Sequence, residues 1–221
     1  MKRPLCRATL GALLILAASV FSADSRPNFL FILSDDHRFD GIGAAGNRDV
    51  VTPHIDALAK NGIHFTHATV CVPLCSPSRA SLLTGQLPHQ HGYFSNKTWS
   101  KSADRGFRDA TGMELLRDAG YRTALIGKWH LEPEPWKVGF SEVRTWMPQG
   151  ADDYLNPKLA RGNKDKVQET HGHVTEIFTD DAVNFLSEPP RKAPFFLWLA
   201  YTAPHTPQRP VPDHIRELYR D

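Results

Sequence analysis

A three-layer α/β/α domain on a mostly parallel sheet is predicted by three features of the sequence. Short apolar runs at 28–33 (NFLFIL) and 195–200 (FFLWLA) read as strands buried on both faces, and 121–126 (YRTALI) reads as a further strand. Segments of helical apolar spacing lie between them, and strands alternating with helices build such layered domains. Each run also ends in a polar cluster, and open parallel sheets bind ligands just past the carboxyl ends of their strands. At 221 residues the chain suffices for one core or part of a larger one.

The elements follow in order. Lys2, Arg3 and Arg7 precede an apolar run at 10–21, with small residues at Ser22 and Ala23, so 1–23 reads as a signal peptide and 24–221 as the domain. The run is too short to span a bilayer, which predicts export without a stable membrane anchor. Cys6 precedes the run, the wrong side for a lipid-modified cysteine. Removing 1–23 turns the formal charge from +2 to −1, and no basic stripe argues for nucleic acid. The first strand runs into Ser34-Asp35-Asp36. Thr52 and Pro53 then start a helix with Ile55, Leu58 and Ala59 on its apolar face, stopped by Gly62. A second strand is expected at 63–70.

Thr111 and Glu114 form a capping box for a helix carrying Leu115 and Leu116 and ended by Gly120. The next strand runs into Gly127-Lys128-Trp129-His130. Residues 146–166 are polar and turn-rich, as in a surface loop or an insertion. Val174, Ile177, Phe178, Phe185 and Leu186 mark another amphipathic helix, and the FFLWLA strand leads to Pro204-His205. Asp35 with Asp36, Lys128 with His130, and His205 would therefore converge on one rim of the sheet.

The segment 73–85, PLCSPSRASLLTG, carries the chemistry. Ser76 reads as a cap with Pro77 in the first turn, which sets Cys75 at a helix N-terminus where N–H groups and the helix dipole favour an anion. Arg79, four residues on, shares that face. The residues alone allow a nucleophile beside a fixed cation, or a buried structural cysteine near a surface arginine. Cys71 and Cys75 are too sparse for a disulfide framework or a zinc site. A bridge between them would close a tight, strained loop, so Cys71 reads as a small packing residue. Asn96-Lys97-Thr98 fits the glycosylation sequon, a tripeptide common by chance.

Residues 73–85 resemble the first sulfatase motif along their whole length, and 120–130 (GYRTALIGKWH) resembles the second. The resemblance runs from about Arg26 to the last residue. It implies an alkaline-phosphatase/sulfatase-like fold and a sulfuric ester hydrolase in which a separate maturation enzyme converts Cys75 into formylglycine. The aldehyde hydrate would attack sulfur and then eject sulfate. By the same resemblance, Asp35, Asp36 and the converted Cys75 hold Ca²⁺ or Mg²⁺, Arg79 holds the hydrate, and Lys128 binds sulfate oxygens. His130 takes a proton from the hydrate, and His205 protonates the leaving alcohol. The substrate would be a sulfated small molecule or carbohydrate.

The family's further metal-ligating pair, second sulfate lysine and smaller C-terminal domain find no counterpart after His205. The chain thus resembles an N-terminal portion, incomplete at its C-terminus, and Asp213-His214 is not assigned as the missing pair. Two other readings remain at this stage: a phosphoesterase or phosphonate hydrolase of the same superfamily, and a non-catalytic remnant. His37 is read as lining the site or capping its loop, His89 and His91 as supports of the cysteine helix. His171, His173, Asp152 and Asp153 are read as loop residues.

Overall fold

The computed structural model describes residues 26–97, 107–163, 166–189, 191–207 and 210–220. The expected signal peptide at 1–23 and Thr98 of the sequon lie outside them. Among the described residues six strands form: β1 (Phe29–Leu33), β2 (Arg122–Lys128), β3 (Glu142–Met147), β4 (Lys158–Arg161), β5 (Gln168–Glu169) and β6 (Phe195–Ala200). Their order across the sheet is β1-β6-β2-β3-β4-β5. β1, β6, β2 and β3 run parallel, while β4 and β5 are added antiparallel. The helices are α1 (Pro53–Asn61), α2 (Cys75–Thr84), α3 (Pro88–His91), α4 (Gly112–Asp118), α5 (Val174–Leu186) and α6 (Asp213–Arg216).

The two faces of the sheet bury separate apolar clusters, as the alternation of strand side chains requires. Leu125, Val143, Trp146 and Trp198 point to a layer holding Ala80 and Leu83 of α2 and Met113 of α4. Ala124, Ile126, Met147, Leu197 and Leu199 point the other way, onto Val174, Phe178, Ala182 and Phe185 of α5. This is the expected three-layer architecture. The Thr111–Glu114 capping box forms with both of its hydrogen bonds, and Gly120 follows α4 at φ +87°.

Gly127 sets the spacing at the site end of the sheet. Its φ is +103°, and a Cβ there would stand 1.9 Å from the Ala200 carbonyl oxygen. Only glycine lets β2 run this close to β6 just before Lys128 leaves the strand.

Four expectations are corrected. β1 is not buried on both faces: among the described residues it pairs with β6 alone, and Phe29, Leu30 and Ile32 are exposed. Residues 63–70 form no strand: they are irregular, with Ile63, Phe65 and Val70 in solvent. α1 forms where expected but buries no side chain. Residues 146–166 are more than a surface loop, since they contain β4 with buried Leu159 and Ala160, and buried Tyr154. The polar character of that stretch hid these three buried residues, and a four-residue strand is too short for a periodic signal.

Candidate active site

β1, β6 and β2 are neighbours and parallel, so their carboxyl ends open on the same rim. The residues that follow these three strands meet there with the first turn of α2. Asp35 N donates to the Ala203 carbonyl at 3.0 Å, which ties the end of β1 to the segment carrying His205. Asp36 turns through φ +55° and His130 through φ +56°, both in the left-handed region that non-glycine residues seldom occupy. Such backbone is commonly held where the surroundings over-determine it, as at functional sites.

Asp35 lies at the centre and is buried. It forms an ion pair with Lys128 Nζ, whose side chain is 0% exposed, and Arg79 Nη2 lies 3.8 Å from the same carboxylate oxygen. The Cys75 thiol donates to Asp35 Oδ1 at 3.6 Å, and Lys128 Nζ lies 3.4 Å from Cys75 Sγ. Arg79 donates from Nη1 to the Lys128 carbonyl at 2.7 Å, which pins α2 to the end of β2. Burial lowers the Arg79 pKa, opposed by the Asp35 charge. Burial also dominates at Cys75 and raises the thiol despite Lys128 and Arg79. An unmodified Cys75 is therefore a poor thiolate at neutral pH.

His130 is held by its backbone and by the absence of a side chain opposite. Its N–H donates to Pro148 O at 3.1 Å, and its carbonyl accepts from Ser76 Oγ at 2.7 Å. A Cβ on Gly150 would fall 2.3 Å from His130 Cε1 and 2.5 Å from Nε2. Burial first, then the Lys128 and Arg79 charges, push the imidazole down to about 4, so it is neutral at physiological pH. Its buried Nδ1 has no protein partner among the described residues.

His205 Nε2 lies 3.7 Å from Asp36 Oδ2, and its Nδ1 donates to the Thr206 carbonyl. Tyr154 Oη donates to the carbonyls of His205 at 2.8 Å and Thr202 at 3.1 Å, bracing this loop from below.

The structure thus brings together Asp35, Cys75, Arg79, Lys128 and His205, with His130 coupled electrostatically to all but Cys75. Ligand atoms of Asp35, Cys75 and His205 lie within 4.8 Å of one another, while the Asp36 carboxylate stands further out and is half exposed. The donor set suits a hard divalent cation in one respect: two adjacent carboxylates offer oxygens. A thiol is the wrong donor for such an ion, whereas a hydroxyl oxygen in its place is the right one. Lys128 and Arg79 balance the two aspartates in formal charge.

Other expectations fare differently. Ser76 is not the cap: α2 begins at Cys75 with Leu74 as its N-cap, and the Ser76 hydroxyl serves His130 instead. Cys71 and Cys75 are both free, and Cys71 is exposed rather than packed. His37 caps its loop through Ser34 Oγ and Gly41 O. His91 supports α2, with Nε2 at 2.9 Å from Ser81 Oγ. His173 is the N-cap of α5, accepting from Thr175 N, and Asp152 accepts from Gln149 Nε2 and Lys158 N. The sequence reading missed Gly150 and Tyr154 altogether. Both sit in the polar, turn-rich stretch at 146–166.

The parallel strand ends of this α/β domain gather a thiol, two buried cations and paired carboxylates on one rim. The family model for sulfatases matches residues 27–220. An N-acetylglucosamine-6-O-sulfatase of Bacteroides thetaiotaomicron is 35% identical over 191 residues, covering 86% of this chain and 33% of that protein. The human N-acetylgalactosamine-6-sulfatase is 31% identical over 212 residues, covering 84% and 41%. A solved structure in complex with its substrate D-glucosamine-2-N,6-O-disulfate superposes with a TM-score of 0.75 at 34% identity, covering 86% of this chain and 37% of that one. The chain belongs to the sulfatase family. It spans between a third and about two-fifths of the length of these curated relatives.

Proposed function

We propose that the protein is a sulfuric ester hydrolase acting on sulfated carbohydrates through a formylglycine formed from Cys75, and that residues 24–221 are the N-terminal part of its catalytic domain. The observation that carries this reading is the set of contacts around Cys75. The side chain at that position touches a buried carboxylate and a buried ammonium, with Arg79 behind them, yet burial keeps its thiol protonated. A thiol in that setting is a weak nucleophile, whereas the hydroxyls of an aldehyde hydrate need no thiolate.

In this mechanism Lys128 and Arg79 hold the hydrate and the sulfate oxygens. One hydrate hydroxyl attacks sulfur and releases its proton to solvent, the bond from sulfur to the substrate's alcohol oxygen breaks, and protonated His205 gives that oxygen its proton. The second hydroxyl then loses its proton to neutral His130, the C=O bond re-forms, and the bond from carbon to the sulfate oxygen breaks. Water adds back to the aldehyde to restore the hydrate. Asp35 and Asp36 would hold a divalent cation, Ca²⁺ or Mg²⁺, which when bound neutralises charge on the sulfate oxygens.

The basic and apolar start of the chain supports export through a signal peptide at 1–23. No helix among the described residues is long and apolar enough to cross a membrane. A formylglycine-generating enzyme is the partner this chemistry requires.

The test compares hydrolysis of an aryl sulfate, a sugar 6-sulfate and an aryl phosphate by a protein in which these residues are joined to the rest of a sulfatase catalytic domain, co-produced with a maturation enzyme; the 221-residue chain alone is expected to show negligible turnover. Sulfate esters are expected to turn over and Cys75→Ala to abolish it. Turnover of the phosphate ester alone, or none of any ester, overturns the reading.

A further inference from the structure

Helix α2 is poorly capped at the end that carries Cys75. The first N–H groups of a helix have no intrahelical partner, and a side-chain oxygen at the N-cap usually takes one. Here the N-cap is Leu74, which has no acceptor, and no side-chain bond comes from that position. Pro77 has no N–H to satisfy, and Ser78 N donates to Leu74 O at 3.0 Å. The Ser76 N–H goes to Asn96 Oδ1, 3.0 Å away and 20 residues further along the chain. Ser76 is buried, and its hydroxyl is spent on the His130 carbonyl at 2.7 Å. Both donors of the residue next to Cys75 are therefore fixed, one by Asn96 and one by the end of β2.

We propose that Asn96 is a positioning residue of the Cys75 site, the remote N-cap that Leu74 cannot be. It holds the Ser76 backbone so that Cys75 stays between Asp35 and Lys128. Asparagine is among the best residues for this task, because its short side chain carries an acceptor and loses little freedom in making the bond. The first residue of the Asn96-Lys97-Thr98 tripeptide thus takes its role from helix chemistry. The sulfatase reading enters only through the anion used in the test.

The experiment makes Asn96→Ala and Asn96→Asp in the full chain and follows thermal unfolding with and without inorganic sulfate. Alanine removes the acceptor, so the melting temperature falls. Aspartate keeps an acceptor and suits the positive end of the helix, so it restores the melting temperature towards the native value. It also adds a negative charge at the helix end that carries Cys75, one residue from its Ser76 contact, so sulfate affinity, read from the sulfate-dependent shift, drops roughly tenfold. That split between retained stability and lost affinity is one that a remote structural residue does not produce.

The proposal is overturned if Asn96→Ala melts like the native protein, if Asn96→Asp melts no higher than Asn96→Ala, or if Asn96→Asp binds sulfate like the native protein. Absence of any sulfate-dependent shift in the native protein counts against the anion site of the proposed function, while the three melting temperatures still decide the role of Asn96.

Discussion

Strands β1 and β2 are both expected from the sequence and end up in opposite environments. β2 lies between β6 and β3, and from Thr123 to Lys128 every residue is buried. β1 pairs on one side only, and Phe29, Leu30 and Ile32 keep 42%, 45% and 51% of their surface exposed. The flank beyond β1 continues the pattern, since α1 buries no side chain and Phe65 and Val70 stand in solvent. Apolar composition marks a strand, but its place in the strand order decides how much surface it buries. The site straddles this boundary: Lys128 and His130 come from the packed strand, Asp35 and Asp36 from the edge.

The contrast can be broken most severely at Gly127. An alanine there meets the Ala200 backbone at 1.9 Å and must hold φ near +103°. We expect Gly127→Ala to destabilise by about 3 kcal/mol or more in urea denaturation, because neither contact partner is a movable side chain. A loss below about 1 kcal/mol would mean that the two strands separate easily.

Gly150→Ala is the next largest, and it acts on function rather than on the core. The added methyl displaces the His130 ring, so catalysis by the matured protein should fall at least about tenfold with the fold retained. Unchanged turnover would show that the ring's position is not set by Gly150.

The third effect is a pH dependence of stability. The His130 pKa is about 4 in the folded protein against an ordinary value of 6.5, so between these limits the unfolded chain binds more protons. His130 therefore contributes stability that is full above about pH 6.5 and is lost as pH falls towards 4. In His130→Asn that part of the slope should disappear. The same slope in both proteins would contradict the burial of the ring.

The smallest effect belongs to the edge. Ile32→Ala should destabilise by about 1 kcal/mol or less, since half of the side chain is already in water. A loss matching that of a buried β2 residue such as Ile126→Ala would erase the comparison.

The strands that position the site were legible because continuous apolar runs and the polar residues after them are local signals. NFLFIL, YRTALI and FFLWLA announced β1, β2 and β6, and parallel order then required Asp35, Lys128 and His205 to share a rim. The capping box at Thr111 was legible for the same reason. What could not be read depends on partners distant in sequence. Nothing in the local sequence says that β1 is an edge, that Ser76 serves His130 rather than its own helix, or that Asn96 caps α2 from 20 residues away. Gly150 is a seat for His130 only once the loop after β3 has folded back across β2.

The central claim is that the side chain at position 75 works as an oxygen nucleophile and not as a thiol. Mass spectrometry of the peptide containing Cys75, isolated from active protein made alongside a maturation enzyme, tests it most directly. The account predicts a peptide in which the cysteine sulfur has been replaced by an aldehyde oxygen, in proportion to activity. An active protein whose Cys75 is an intact thiol would contradict it.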